Sequence, residues 1–199
     1  SIPLKHIVTT AHYNGKIPRN PFAMYHVAPD HKERGFLTEE ELQVLGAIKL
    51  ENPNFALARD LFLFGCWTGI SFIDIKNLTT DNIVEMNGAR WIVSKRQKTG
   101  VTFQVKLMDI PMQIIKRYEP FRKDKRLFNI GSLDMVNKRI KNIAKKCGIE
   151  KPVSFHLSRH SFAVMALNYG MPIESVSKIL GHTDIKTTQI YAKVTNTKL

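Results

Sequence analysis

Two cysteines in 199 residues, Cys66 and Cys147, are too few and too far apart for a disulfide framework or a zinc ribbon. A reduced, cytoplasmic setting is the expectation. Long hydrophobic runs are missing too. The most apolar stretch, LFLFGCWTGISFI from Leu61 to Ile73, is roughly half a membrane span and follows Arg59 and Asp60, so it reads as a buried helix. No signal peptide or transmembrane segment is recognised, and no membrane partner is expected. A P-loop and a carboxylate cluster are also absent. Acidic residues are scarce: 17 Asp and Glu stand against 30 Lys and Arg, for a formal charge of +13. That balance by itself favours a polyanionic partner such as nucleic acid or an anionic membrane surface.

The position of the charge says more than its total. Between Arg90 and Lys146 there are 16 Lys and Arg against 4 Asp and Glu, and the rest of the chain is nearly balanced. One basic face is expected, although a solvated face on an ordinary basic protein has the same composition. Lys95, Lys138, Arg139 and Lys141 are its candidate contacts to a phosphate backbone.

The opening SIPLKHIVTT has no initiator methionine and is expected to be the end of a helix begun earlier in a longer protein. Asn14 to Gly35, rich in Pro, Gly, Asn and charge, reads as a linker. LTEEEL then offers Thr38 as N-cap with Glu41 at the third helical position, opening a helix to about Leu50. A second helix is predicted from Phe55 to Trp67, with Gly69 near its end. From there the period changes to two. Asn87-Gly88 and Thr99-Gly100 separate three alternating segments, which predicts a three-stranded antiparallel sheet. Helices return in PMQIIKRYEPF and in SLDMVNKRIKNIAKKCG, whose apolar side is assigned to Met135, Ile140, Ile143 and Ala144. Three more are expected: from a cap near Ser154 to Gly170, from Pro172 to Gly181, and from a Thr183 cap onward. The fold class is α+β, mainly helical with one small sheet.

Chemistry concentrates near the C-terminus. His156 and Arg159 share one face at the start of a helix, whose dipole favours a bound anion. Gly181 permits a left-handed turn that aims His182 away from its own helix, and Tyr191 projects from the next. Taken singly, each has a plain structural explanation as a buried histidine, an ion-paired arginine or a tyrosine at a helix end.

Together, HLSRH at 156–160, LGH at 180–182 and TTxxY at 187–191 resemble, in order and spacing, the signature of the tyrosine recombinases, the lambda-integrase-like family. The similarity extends from Leu37 to Ala192 and is nearest to integrases of conjugative transposons and related mobile elements. The resemblance implies the tyrosine recombinase catalytic-domain fold over residues 37–199, with residues 1–36 as the end of a preceding DNA-binding domain and linker. It implies a site-specific recombinase that cuts and rejoins duplex DNA at attachment sites through a 3′-phosphotyrosine, without cofactor or metal. Tyr191, Arg159, His156 and His182 then fall on catalytic positions, Lys98 on the lysine of the sheet turn, and Asp74 on a supporting acidic position, with Ser71 and His160 beside the site. Leu157 departs from the usual aspartate. Further implied are a monomer that assembles as a homo-tetramer on DNA, DNA-bending accessory proteins, and a cytoplasmic, nucleoid-associated bacterial setting. The closing AKVTNTKL either reaches a neighbouring protomer or frays.

The chemistry of the residues agrees with this. Phosphodiester cleavage needs a nucleophile, charge neutralisation at phosphorus and a proton for the leaving oxygen. Tyr191 serves the first, Arg159 the second, with His156 and His182 donating further hydrogen bonds or moving the tyrosine proton, and Lys98 the third. One charge is missing: in TGISFIDI the family's first arginine is replaced by Ser71. Arg59 is expected to be a structural ion-pair residue, and Arg90 sits at the far end of its strand. Arg96 is the candidate substitute, two residues before Lys98 and so placed on one strand face with it. The rival classes are a zinc site from His156, His160 and His182, a non-catalytic DNA-binding module, and a type IB topoisomerase.

Overall fold

The computed structural model describes residues 2–24 and 35–195. The linker expectation therefore falls partly outside the described residues, at 25–34, as does the end of the chain at 196–199. The chain divides into two compact units, Ser1–Glu33 and Arg34–Leu199. In the first, helix α1 spans Ile2–Tyr13 and turns follow it.

The second unit opens as its sequence requires. Thr38 caps α2 (Glu39–Ala47) in a complete capping box with Glu41; the helix ends three residues before the expected Leu50, because Ile48 turns to extended backbone. Helix α3 (Pro53–Thr68) starts at an Asn52 cap with Pro53 in its first turn and stops at Gly69, at φ +67°. It is buried over most of its surface and packs against α2, α5 (Asp109–Tyr118), α6 (Leu133–Lys146) and α7 (Phe155–Asn168). A short helix the sequence reading did not resolve, α4 (Phe72–Asn77), follows with Ser71 as its N-cap.

The approach of α7 to α3 depends on two glycines one turn apart. A Cβ on Gly65 would lie 2.5 Å from Ser158 Oγ, and one on Gly69 would lie 2.5 Å from Phe162 Cδ1. Any larger residue there would push α7 outward, and α7 carries Arg159 between those two contacts.

Strands β1 (Ile83–Met86), β2 (Ala89–Lys95) and β3 (Thr102–Lys106) form the antiparallel sheet in order β1-β2-β3. Asn87 and Gly88 both take positive φ, as the type I′ turn demands. Two expectations are corrected. Strand β2 ends at Lys95, and Arg96 pairs through its N–H with the Val101 carbonyl at 2.8 Å while residues 97–99 turn away. Arg96 and Lys98 thus do not share a strand face: Arg96 is buried and Lys98 is exposed at the turn. On α6 the buried residues are Val136, Ile140, Ile143 and Ala144; Met135 is exposed, one step of the helical period away from that stripe.

Two small helices close the unit, α8 (Ile173–Leu180) and α9 (Lys186–Thr195). The second begins after an Asp184 turn that accepts the Lys186 N–H, three residues beyond the expected Thr183 cap. Helices α7, α8 and α9 bury a small cluster of Phe162, Ala163, Val176, Leu180 and Tyr191, beside the main core built around α3. Among the described residues no helix is long and apolar enough to cross a membrane.

Candidate active site

The end of α8 is a Schellman turn. Gly181 at φ +63° donates to the Lys178 carbonyl, and His182 N–H donates to the Ser177 carbonyl. That leaves the next two carbonyls of the helix free, at the negative end of its dipole. Each receives a guanidinium: Arg96 Nη2 donates to the Ile179 oxygen at 2.6 Å, and Arg159 Nη2 to the Leu180 oxygen at 2.8 Å. Arg159 also donates to the carbonyl of Gly69, at the end of α3. Two helix ends thereby hold two like charges close together, and their carbonyl dipoles offset the repulsion.

Arg96 is the more enclosed of the pair. Its guanidinium stacks 4.2 Å above the Phe103 ring, and its Nη1 meets Asp74 Oδ2 at 2.7 Å. Its Nε lies against Gly181, where a Cβ would come within 2.6 Å of it, and has no hydrogen-bond partner among the described residues. Asp74 gathers three donors: Arg96, the Gln97 N–H at 2.9 Å, and the Ser71 hydroxyl at 2.6 Å. Burial pushes the Asp74 carboxyl up, but these donors outweigh it and hold the group below its ordinary value. Ser71 and Arg96 therefore converge on one carboxylate oxygen. The guanidinium of Arg96 stands beside the place where the sequence lacks its arginine.

The remaining groups pack around this pair. His156 is exposed at the start of α7; its ring meets His160 edge-on at 4.7 Å between centroids, and His160 meets the Tyr191 ring in the same way at 5.1 Å. Tyr191 is 6% exposed. Burial and then the Arg96 charge pull the Arg159 guanidinium down to about 10, while Tyr191 and Asp74 act the other way. At neutral pH it keeps its proton. Burial, and then the charges of Arg159, Arg96 and His156, push the His182 imidazole down to about 4. Its Nδ1 lies 2.8 Å from the hydroxyl of Thr188 on α9.

Tyr191, Arg159, His156, His182, Arg96, Asp74, Ser71 and His160 are thus brought together by α4, α7, α8, α9 and the end of β2. Lys98 is not among them; it sits at the exposed tip of the turn that carries Arg96. Lys95 is exposed at the end of β2, and Lys138 and Lys141 lie on the solvent face of α6 with Arg139 half-buried beside them. No three His, Cys, Asp or Glu residues among those described are arranged to hold a metal ion, so the zinc arrangement of His156, His160 and His182 is not formed. Arg59 is the structural residue expected, donating to Asp60 at 2.8 Å and to the Ile48 carbonyl at 2.7 Å. Thr188 escaped the sequence reading, although it stands in the TTxxY motif one helical turn before Tyr191.

Residues 35–198 match the phage integrase family over their whole length. The chain belongs to the phage integrase family. Relatives include the tyrosine recombinase XerD of Listeria monocytogenes serotype 4b (strain F2365), 53% identical over 62 residues, which are 31% of this chain and 21% of that protein. The XerA recombinase of Saccharolobus solfataricus is 34% identical over 99 residues, 49% of this chain and 33% of that one. The chain thus spans about a fifth to a third of the length of these relatives. Among solved structures, a lambda integrase (75–356) dimer bound to a COC′ core site matches with TM-score 0.77 at 18% identity, over 94% of this chain and 69% of that one. The Tn1549 transposon integrase (82–397) in complex with circular intermediate DNA matches with TM-score 0.74 at 20% identity, over 94% and 71%. The mainly helical unit with its three-stranded sheet is the catalytic-domain fold of the tyrosine recombinases.

Proposed function

We propose that the chain carries the catalytic domain, residues 37–199, of a site-specific recombinase that integrates and excises a mobile element, with residues 1–36 as the end of a preceding DNA-binding domain and linker. The observation that carries this reading is the packing of Tyr191 on His160, the neighbour of Arg159 on α7, at a cluster where two guanidiniums rest on one helix end. Tyr191 Oη attacks phosphorus, the bond to the 5′-oxygen breaks, and the 3′-phosphate remains on the tyrosine. The phenol proton passes to a base or to water, and Lys98, brought against the DNA by its turn, protonates the departing 5′-oxygen. The reverse sequence with a new 5′-hydroxyl rejoins the strand, so no nucleotide or metal enters the balance. Arg159, which has two N–H groups tied to carbonyls, turns its others to the non-bridging oxygens.

Arg96 supplies the charge that Ser71 cannot. It reaches the site from the end of β2, is held by Asp74, and lies close enough to lower the Arg159 and His182 proton affinities. Lys95, Lys138, Arg139 and Lys141 bind the duplex backbone. On attachment-site DNA the free monomer assembles as a tetramer, with DNA-bending proteins as accessory partners, in the bacterial cytoplasm. The test is a set of nicked duplexes carrying candidate attachment sites, which trap the covalent intermediate by losing the strand needed for rejoining. Trapped adduct together with strand-exchanged product supports the proposal. Relaxation of supercoils without exchange indicates a topoisomerase, and binding without cleavage indicates a DNA-binding module.

A further inference from the structure

Thr188 is wholly buried on α9, one turn before Tyr191, and its hydroxyl bonds the His182 ring across the gap between α8 and α9. A hydroxyl has one hydrogen to give, and leaving that donor unmade in a buried place is costly. Among the described residues Nδ1 of His182 is its hydrogen-bond partner, at 2.8 Å. If Nδ1 carried the imidazole proton, the hydroxyl would receive a bond and its own hydrogen would have nowhere to go. The buried hydroxyl therefore donates, Nδ1 accepts, and the imidazole proton sits on Nε2, on the side of the ring away from Thr188.

We propose that Thr188 is a positioning residue that fixes His182 as the Nε2–H tautomer, making it a hydrogen-bond donor to the phosphate and not the base that takes the tyrosine proton. The role in cleavage rests on the recombinase reading above; the tautomer does not. Because Thr188 and Tyr191 share one helix, the same docking that brings the nucleophile to the site also sets the histidine. An α9 that swings away withdraws both, so a half-assembled site holds neither an attacking phenol nor an oriented donor. The cationic surroundings of His182 agree with this use: with Arg159 and Arg96 close by, a neutral ring offers a hydrogen bond without adding a third positive charge.

The experiment has two arms. Long-range proton–nitrogen correlation on histidine-labelled protein without DNA, at neutral pH, is expected to show His182, assigned by its loss in His182→Gln, with a bare Nδ1 and a protonated Nε2. A protonated Nδ1 overturns the proposal whatever the protein does to DNA. In the second arm, Thr188→Val is expected to slow single-turnover cleavage of a nicked duplex at least tenfold with DNA affinity changed less than twofold, and Thr188→Ser is expected to restore most of the rate. Wild-type cleavage by Thr188→Val, or a serine variant as slow as the valine one, overturns the positioning role. If the valine variant does not fold, the serine variant and the nitrogen spectrum decide. Absence of cleavage by the unaltered chain, with the tautomer as stated, counts against the recombinase reading and leaves the hydrogen bond standing.

Discussion

Replacing Arg96 by methionine keeps an unbranched apolar stem and removes the guanidinium with its charge, leaving Asp74 buried without its cation. Removing one partner of a buried pair costs about 3–5 kcal/mol. Asp74 keeps the Ser71 hydroxyl and the Gln97 N–H, which places the loss at the lower end, about 3 kcal/mol. For a unit of this size that lowers the melting temperature by roughly 6–12 °C. Adding Asp74→Asn removes the orphaned charge while an amide oxygen still accepts from Gln97, and is expected to return about 2 kcal/mol. Urea unfolding of the two single variants and the double variant measures that coupling. Cleavage separates the second role of Arg96 from the first. A lost donor to developing charge costs about 3 kcal/mol, or roughly 100-fold in rate, and repairing stability does not return it. The double variant should therefore be nearly as stable as the parent and at least about 100-fold slower. A coupling near zero refutes the ion-pair reasoning. A double variant that cleaves at the parent rate refutes Arg96 as the substitute for the missing arginine.

Gly181→Ala forces a side chain into the left-handed region and a methyl group to within 2.6 Å of Arg96 Nε; it should cost more than about 1 kcal/mol and slow cleavage, and a variant with parent stability contradicts the packing described. Lys98→Ala, at an exposed turn, should change stability by less than about 0.5 kcal/mol and slow cleavage about 100-fold, with the rate recovered on a substrate whose leaving group is a 5′-thiolate that needs no proton; no recovery removes Lys98 as the acid. Stability should fall with pH in two windows. His182, lowered from 6.5 to about 4, leaves the unfolded chain binding the extra proton between those values, so its contribution is present above pH 6.5 and is lost on the way to pH 4. Asp74, held below 3.8, loses its contribution as pH falls from 3.8 towards its lower folded value. A His182→Gln variant should flatten the first window in urea titrations, and an unchanged slope contradicts the assignment.

Much of this was legible where the signal is local. The Thr38 capping box, the Asn87-Gly88 turn and the Gly181 helix end are each fixed by a few adjacent residues, and each forms as read. The order of HLSRH, LGH and TTxxY is likewise enough to gather His156, Arg159, His182 and Tyr191. What failed was register at an element's end. Strand alternation placed Arg96 beside Lys98, but β2 stops at Lys95 once the turn begins, and a side chain past the last ladder pair obeys its contacts with Asp74 and Phe103 instead of the pleat. Met135 slipped for a similar reason: in the first turn of α6 the stripe is set by Val136 packing inward. A contact between distant segments, such as Gly65 with Ser158, leaves no period in a single sequence, and the Thr188–His182 bond spans the break between two helices, where no period runs.

The proposed recombinase chemistry stands on Tyr191 as the nucleophile. Its most direct test is digestion of the trapped protein–DNA adduct, formed in excess chelator, followed by mass spectrometry of the linked peptide. A nucleotide 3′-phosphate on Tyr191 is expected, with no adduct from Tyr191→Phe, a variant that still folds and binds duplex DNA. An adduct mapped to any other residue, or one that persists in the phenylalanine variant, contradicts it.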